Sequence, residues 1–353
     1  MRASRHIFRW DLDKTYLKSD FDSVRDLVRT ARASAEEREN IPGAAALLRG
    51  IRADAPQGGE HFVYFLSGSP ESFRKTIEKK LLIDGVAPDG VTLKPQLSNL
   101  VRGRFRAVKS QLAYKLGALL EGRAQAPVRS GETLFGDDAE SDVFIYSLYA
   151  ELVAGRVLES ELEKILRASG AYPDEVRATR VMLESIVHEP AVERIVIHLD
   201  QLTPPVEFAD FFPLAVPIYN HLQTAIVLWL DGRVRARTIA DVAAELVAQF
   251  KLEPARLINS AEDILRRRRM EVELDRLASL AHELRTEAGG FEQDIARVVE
   301  GLAERAEHVH ARPLPRTTEP PPARRSWLER FALEQERRAR ARDRKKRPKA
   351  SSS

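Results

Sequence analysis

Hydrophobic positions fall into two regimes along this chain. In the first, short runs rich in β-formers alternate with stretches of helical period. RHIFRW (5–10) reads as a strand, and IPGAAALLRGIRAD (41–54) has helical spacing with Pro42 near its start. HFVYFL (61–66) is a second strand, closed by the turn-prone SGSP (67–70). SPESFRKTIEKKLL then predicts a helix capped by Ser69, with Pro70 in its first turn. FRAVKSQLAYKLGALLEG (105–122) is an amphipathic helix, ETLFGDD (132–138) a strand that runs into acids, and ERIVIHLD (193–200) a further strand. After residue 143 helical patterns dominate, from VFIYSLYAELVAG to a long stretch between Pro254 and His310. No fixed-period repeat is present. The pattern predicts an α/β domain over 1–205, a mostly helical region over 206–312, and over 313–353 a proline-rich linker followed by a basic tail expected to be disordered.

Composition sharpens this in four ways. The 353 residues, 43% hydrophobic and 31% charged, suffice for one large core or two modest ones. The absence of cysteine excludes disulfides, thiolate metal sites and cysteine nucleophiles, and fits a reducing, cytoplasmic compartment. The most apolar stretch, PLAVPIYNHLQTAIVLWL (213–230), is interrupted by two prolines and by Asn220, His221 and Gln223, so no transmembrane segment is expected. Charge is distributed unevenly. Residues 321–353 hold 12 Lys/Arg against 4 Asp/Glu, so with +3 overall the first 320 residues carry −5. Trp327, Leu328 and Phe331 share one helical face ahead of the densest arginines. Such a tail suits a peripheral contact with an anionic membrane surface, or nucleic acid through counterion release.

The candidate chemistry sits where strands end. DLDKT follows the first strand, Ser67 the second, and GDDAESD the third, with a lysine-bearing helix between. Strand ends of an open parallel sheet converge on one crevice, so two carboxylates, a hydroxyl, a cation and an acidic cluster would meet there. These are the parts of a phosphoryl-transfer site. One carboxylate attacks phosphorus, a second moves protons, and Mg2+ takes oxygen ligands while offsetting the repulsion between them. An EF-hand is a poor alternative, because counting from Asp11 its turn glycine would be Tyr16 and its bidentate glutamate Asp22.

With these residues in order across 6–146, the chain resembles the haloacid dehalogenase superfamily. The resemblance implies a Rossmannoid three-layer α/β sandwich with a parallel sheet and an aspartyl-phosphate mechanism. It implies Asp11 as nucleophile, Asp13 as general acid/base, Thr15 as loop support, and Ser67 with Gly68 as phosphoryl-binding positions. Asp137, with Asp138 or Asp142, would hold Mg2+ together with Asp11 and the backbone carbonyl of Asp13. Lys115 is the preferred motif-three lysine, standing 21 residues before Gly136; Lys109, six residues earlier on another face of the same helix, is the alternative.

A narrower resemblance is to the catalytic domain of actin-patch-type phosphatidate phosphatases and their bacterial relatives. Ser67, Ser69 and Pro70 match their Ser-x-Ser-Pro, and Gly136, Asp137, Asp142, Ile145 and Tyr146 match their fourth motif. Lys14 and Asp138 depart from it, where that family has aspartate and serine. The resemblance implies a Mg2+-dependent phosphomonoesterase, with phosphatidate or a related phospholipid as substrate. A phosphatase for nucleic-acid ends or phosphoproteins is the alternative, and a non-catalytic interaction module is a third reading.

Overall fold

A computed structural model of the protein describes residues 5–18, 36, 38–94, 111–268, 274–311 and 325–346. Six strands form one all-parallel sheet: β1 (Arg5–Asp11), β2 (Glu60–Pro70), β3 (Gly90–Lys94), β4 (Gly131–Asp137), β5 (Val192–His198) and β6 (Ala215–Ile218). Their spatial order is β3-β2-β1-β4-β5-β6. The chain steps outward from β1 to β3, returns to the far side of β1 as β4, and steps out again to β6. Loops leaving β1 and β4 therefore diverge, which makes the C-terminal ends of these two strands the switch point of the sheet.

Helices cover both faces, which is why the central strands are buried on both sides. Against one face lie α1 (Ala44–Ala53), α2 (Arg74–Ile83), α7 (His221–Leu230) and α8 (Ala236–Ala248), backed by α9 (Pro254–Arg268), α10 (Leu274–Ala288) and α11 (Gln293–Ala311). The other face carries α3 (Gln111–Ala124), α4 (Asp142–Val153), α5 (Glu159–Ala168), α6 (Pro173–Ser185) and α12 (Trp327–Lys346). Alternation along each strand feeds the two cores: Phe135 and Val196 point to the first, Leu134, Ile195 and Ile197 to the second.

The two strands at the switch point are tied on both faces. Trp10 of β1 stacks on Phe135 of β4 with 4.0 Å between centroids and 14° between planes, worth about 0.5–1.5 kcal/mol beyond its area. On the other face the buried Glu132 carboxylate accepts from Arg9 at 3.0 Å, Arg123 at 3.1 Å and Tyr149 at 2.9 Å. Its charge is fully paired, and the network locks α3 and α4 onto β1 and β4.

Four expectations change. The boundary at residue 205 falls between paired strands, since β5 and β6 align from Ile195↔Ala215 to His198↔Ile218. Four residues give no readable period, and Pro217 argues against a strand except at an edge, where β6 lies. The region 206–312 is thus not a separate helical unit, because α7 and α8 complete the first core. Ser69 does not cap a helix: β2 continues to Pro70, a 3-10 turn spans Glu71–Phe73, and the helix begins at Arg74. Within the tail, Trp327–Lys346 is a 20-residue helix rather than disordered chain. Trp327 and Phe331 explain it, packing against Phe144 at 5.7 and 5.4 Å between centroids. Among the described residues, no helix is long and apolar enough to cross a membrane.

Candidate active site

Asp11 is the last residue of β1 and is buried. Its Oδ1 lies 2.8 Å from Lys115 Nζ, brought in by α3. The same ammonium donates to Asp142 Oδ1 at 2.6 Å and Glu140 Oε2 at 2.9 Å. Lys115 is completely buried, so its three donors all go to carboxylates. One oxygen each from Asp11, Glu140 and Asp142 lie within 4.8 Å of one another. Asp142 reaches this point because Gly136 has no side chain: a Cβ there would stand 2.4 Å from Asp142 Oδ2.

The loop after β4 is folded tightly around its acids. Asp137 Oδ1 accepts from the amides of Ala139 at 2.6 Å and Glu140 at 3.0 Å, while its own amide donates to Asp142 Oδ2 at 3.3 Å. Asp137 Oδ2 and Asp11 Oδ2 are buried with no hydrogen-bond partner among the described residues. Burial costs such groups heavily unless something charged or polar meets them.

Electrostatics express the same deficit. Burial, reinforced by the neighbouring acids, pushes the Asp11 and Asp137 carboxyls well above the usual carboxylate range, with Lys115 opposing. Asp142 is also raised, by burial first and by Glu140, again against Lys115. Glu140 goes the other way: burial disfavours its charge, but Lys115 and Gln111 hold it below the usual range. Burial works against the Lys115 charge too, yet Asp11, Asp142 and Glu140 hold its pKa well above that of a free lysine. Three carboxylates thus share one lysine, with Asp137 beside them. An oxygen-only donor set beside the unpartnered, buried Asp137 Oδ2 could hold a hard divalent cation, whose charge would oppose the upward shifts of Asp11, Asp137 and Asp142.

Facing this cluster is the loop after β1. The half-buried Asp13 accepts at Oδ2 from Ser67 Oγ at 2.9 Å and Ser69 Oγ at 3.0 Å, joining the ends of β1 and β2. Tyr114 OH donates to the Ser67 carbonyl at 2.9 Å, tying α3 to the same point. Lys14 sits in the left-handed region (φ 61°), a conformation that costs a non-glycine residue about 1–2 kcal/mol and needs outside support. A half-buried and a buried histidine supply it. His198 Nδ1 donates to the Lys14 carbonyl at 3.0 Å, and His221 Nε2 to the Thr15 carbonyl at 3.0 Å.

Of the residues expected from sequence, Asp11, Lys115 and Asp142 converge, and Asp137 adjoins them. Asp13 and Ser67 meet each other. Thr15 is buried in its loop, and Gly68 leaves its Cβ direction open. Asp138 does not join the cluster. Its carboxylate accepts from the amides of Gln201 at 2.7 Å and Thr203 at 3.0 Å, so it anchors the loop after β5 instead. Lys109 lies outside the described residues. Glu140 stands inside the acidic run, but its spacing does not single it out; Tyr114, His198 and His221 carry no local signal for this role. Comparison with protein-family models, with curated proteins and with solved structures finds no match to this chain.

Proposed function

We propose that the protein is a Mg2+-dependent phosphomonoesterase of the haloacid dehalogenase type, working through an aspartyl-phosphate on Asp11. The observation that carries this reading is the meeting of Asp11, Lys115, Glu140 and Asp142 at the switch-point edge of the sheet. A lysine bridging three carboxylates gives little net stability on its own, because desolvation offsets most of the attraction. The arrangement makes better sense as a site built to act on a charged group.

The steps follow from the side chains. Asp11 Oδ2, which no donor occupies, attacks phosphorus; the new O–P bond forms as the ester P–O bond breaks. Asp13, as the carboxylic acid, gives its proton to the leaving oxygen, and Ser67 and Ser69 hold it in place. Asp13, now the carboxylate, takes a proton from water, which attacks phosphorus and releases Asp11 and phosphate. Lys115 and the Ser67 hydroxyl would stabilise charge on the phosphoryl oxygens by turning a donor from their carboxylate partners to the phosphoryl group, leaving Ser69 to hold Asp13. Mg2+, held by Asp11, Asp142 and Asp137 with Glu140 in reach, would neutralise phosphoryl and carboxylate charge.

The test is hydrolysis of an aryl phosphate by the full chain, with and without Mg2+, beside Asp11→Asn and Asp13→Asn. Activity that requires the metal and both aspartates is expected; equal turnover by Asp11→Asn would refute the mechanism. For substrate class, the proposal is a phospholipid monoester such as phosphatidate. Faster hydrolysis of a 5′-phosphorylated oligonucleotide than of phosphatidate in vesicles would overturn that part alone.

A further inference from the structure

We propose that Arg337 of α12 is a positioning residue that presets the metal-binding carboxylates, so that the C-terminal helix sets the affinity of the site for Mg2+. This rests on the reading of the site given above. The apolar start of α12 docks Trp327 and Phe331 on Phe144, which fixes where the rest of the helix runs. Ten residues beyond Trp327, roughly 15 Å along the axis, the Arg337 side chain enters the protein and is buried, as is its partner Glu334. Glu334 accepts from Arg337 Nε at 2.9 Å and Nη2 at 2.7 Å.

The guanidinium has donors left over, and they are spent on one loop. Nη1 donates to the Asp138 carbonyl at 2.6 Å and Nη2 to the Glu140 carbonyl at 2.8 Å. Arg338 Nη1 adds a bond to Ser141 Oγ at 3.1 Å. Adhesion of a helix does not call for a buried ion pair, since an apolar residue of similar size docks as well or better. A planar fork does something an apolar residue cannot: it grips two carbonyls on either side of Ala139 at once. With the Asp138 carboxylate tied to Gln201 and Thr203, the loop between Asp137 and Asp142 is held from both sides. Its carbonyls face α12, and Glu140 and Asp142 are left to face Lys115.

The experiment is calorimetric titration of Mg2+ into the full-length wild type, Arg337→Met, Glu334→Gln and Arg340→Gln, each verified as folded by circular dichroism. Arg340 contacts Glu207 at 3.5 Å and serves as a control on the same helix. Arg337→Met is expected to weaken Mg2+ binding by about 10–100-fold, the usual effect of losing a group that orients ligands. Glu334→Gln should weaken it less, and Arg340→Gln should bind as the wild type does. Should Arg337→Met not fold, the milder Glu334→Gln carries the test: wild-type Mg2+ affinity there would overturn the inference. Unchanged affinity in folded Arg337→Met, or an equal loss in Arg340→Gln, would overturn it as well while leaving the phosphatase reading intact. Failure of the wild type to bind Mg2+ would remove both.

Discussion

His221 should make stability fall in mildly acidic solution, by an amount that can be isolated. The ring is 1% exposed. Its Nε2–H donates to the Thr15 carbonyl, and its Nδ1 accepts from Thr224 Oγ1 at 3.3 Å, so the neutral imidazole is satisfied and a second proton would displace the Thr224 hydroxyl hydrogen. Burial, and then His198 with its ring centroid 5.8 Å away, push the pKa from 6.5 down to about 3. Unfolded, the same imidazole takes up its proton near the ordinary value. Between those two points the unfolded chain binds more protons than the native one, so stability is full above pH 6.5 and drains away as pH falls. Each pH unit inside the window is about 1.4 kcal/mol, which gives about 2 kcal/mol lost between pH 8 and pH 5 and about 5 kcal/mol below pH 3. The comparison is urea unfolding of the wild type and His221→Gln at pH 5, 6, 7 and 8. Glutamine offers the same carbonyl a donor but does not titrate, and contributions from groups distant from His221 cancel in the difference. The advantage of wild type over variant should shrink by about 2 kcal/mol from pH 8 to pH 5, at unchanged m. A difference that stays constant across that range would refute the argument.

Three further outcomes are expected. Gly136→Ala puts a Cβ against both Oδ2 and Cβ of Asp142, at 2.4 and 2.6 Å, so it should cost about 1–3 kcal/mol and abolish the response to Mg2+; a wild-type melting curve with and without the metal would contradict this. Lys115→Met leaves Asp11, Glu140 and Asp142 facing one another without their ammonium, and should destabilise the protein by about 3–5 kcal/mol in chelator, with millimolar Mg2+ restoring part of the loss. An unchanged urea midpoint in chelator would count against it. Mg2+ at a hundred times its Kd should stabilise the wild type by about 2.7 kcal/mol, seen as a raised Tm, and Asp142→Asn should remove the shift. Persistence of the full shift in that variant would place the ion elsewhere.

What the sequence determined by itself is whatever depends on neighbours in the chain. The strands β1, β2, β4 and β5 were legible because each is a compact run of β-formers closed by turn or acidic residues, and a strand buried on both faces needs such a run. The positions of Asp11 and Asp137 at strand ends, and of Ser67 near the end of β2, follow from the same runs, and parallel order then brings those ends to one edge. The tertiary structure alone decided the rest. β3 and β6, of five and four residues, are too short to show a period, and β6 is a strand only because β5 offers it an edge. Asp137 and Asp138 are adjacent identical residues, yet one adjoins the acidic cluster and the other holds Gln201 and Thr203, a division set by which amides the β5 loop presents. Arg337 reads as one arginine in a basic run until packing of Trp327 and Phe331 aims it at carbonyls 199 and 197 residues away. Propensity and spacing act over a few residues; hydrogen bonds and charge act over a few ångströms, whichever residues the fold brings there.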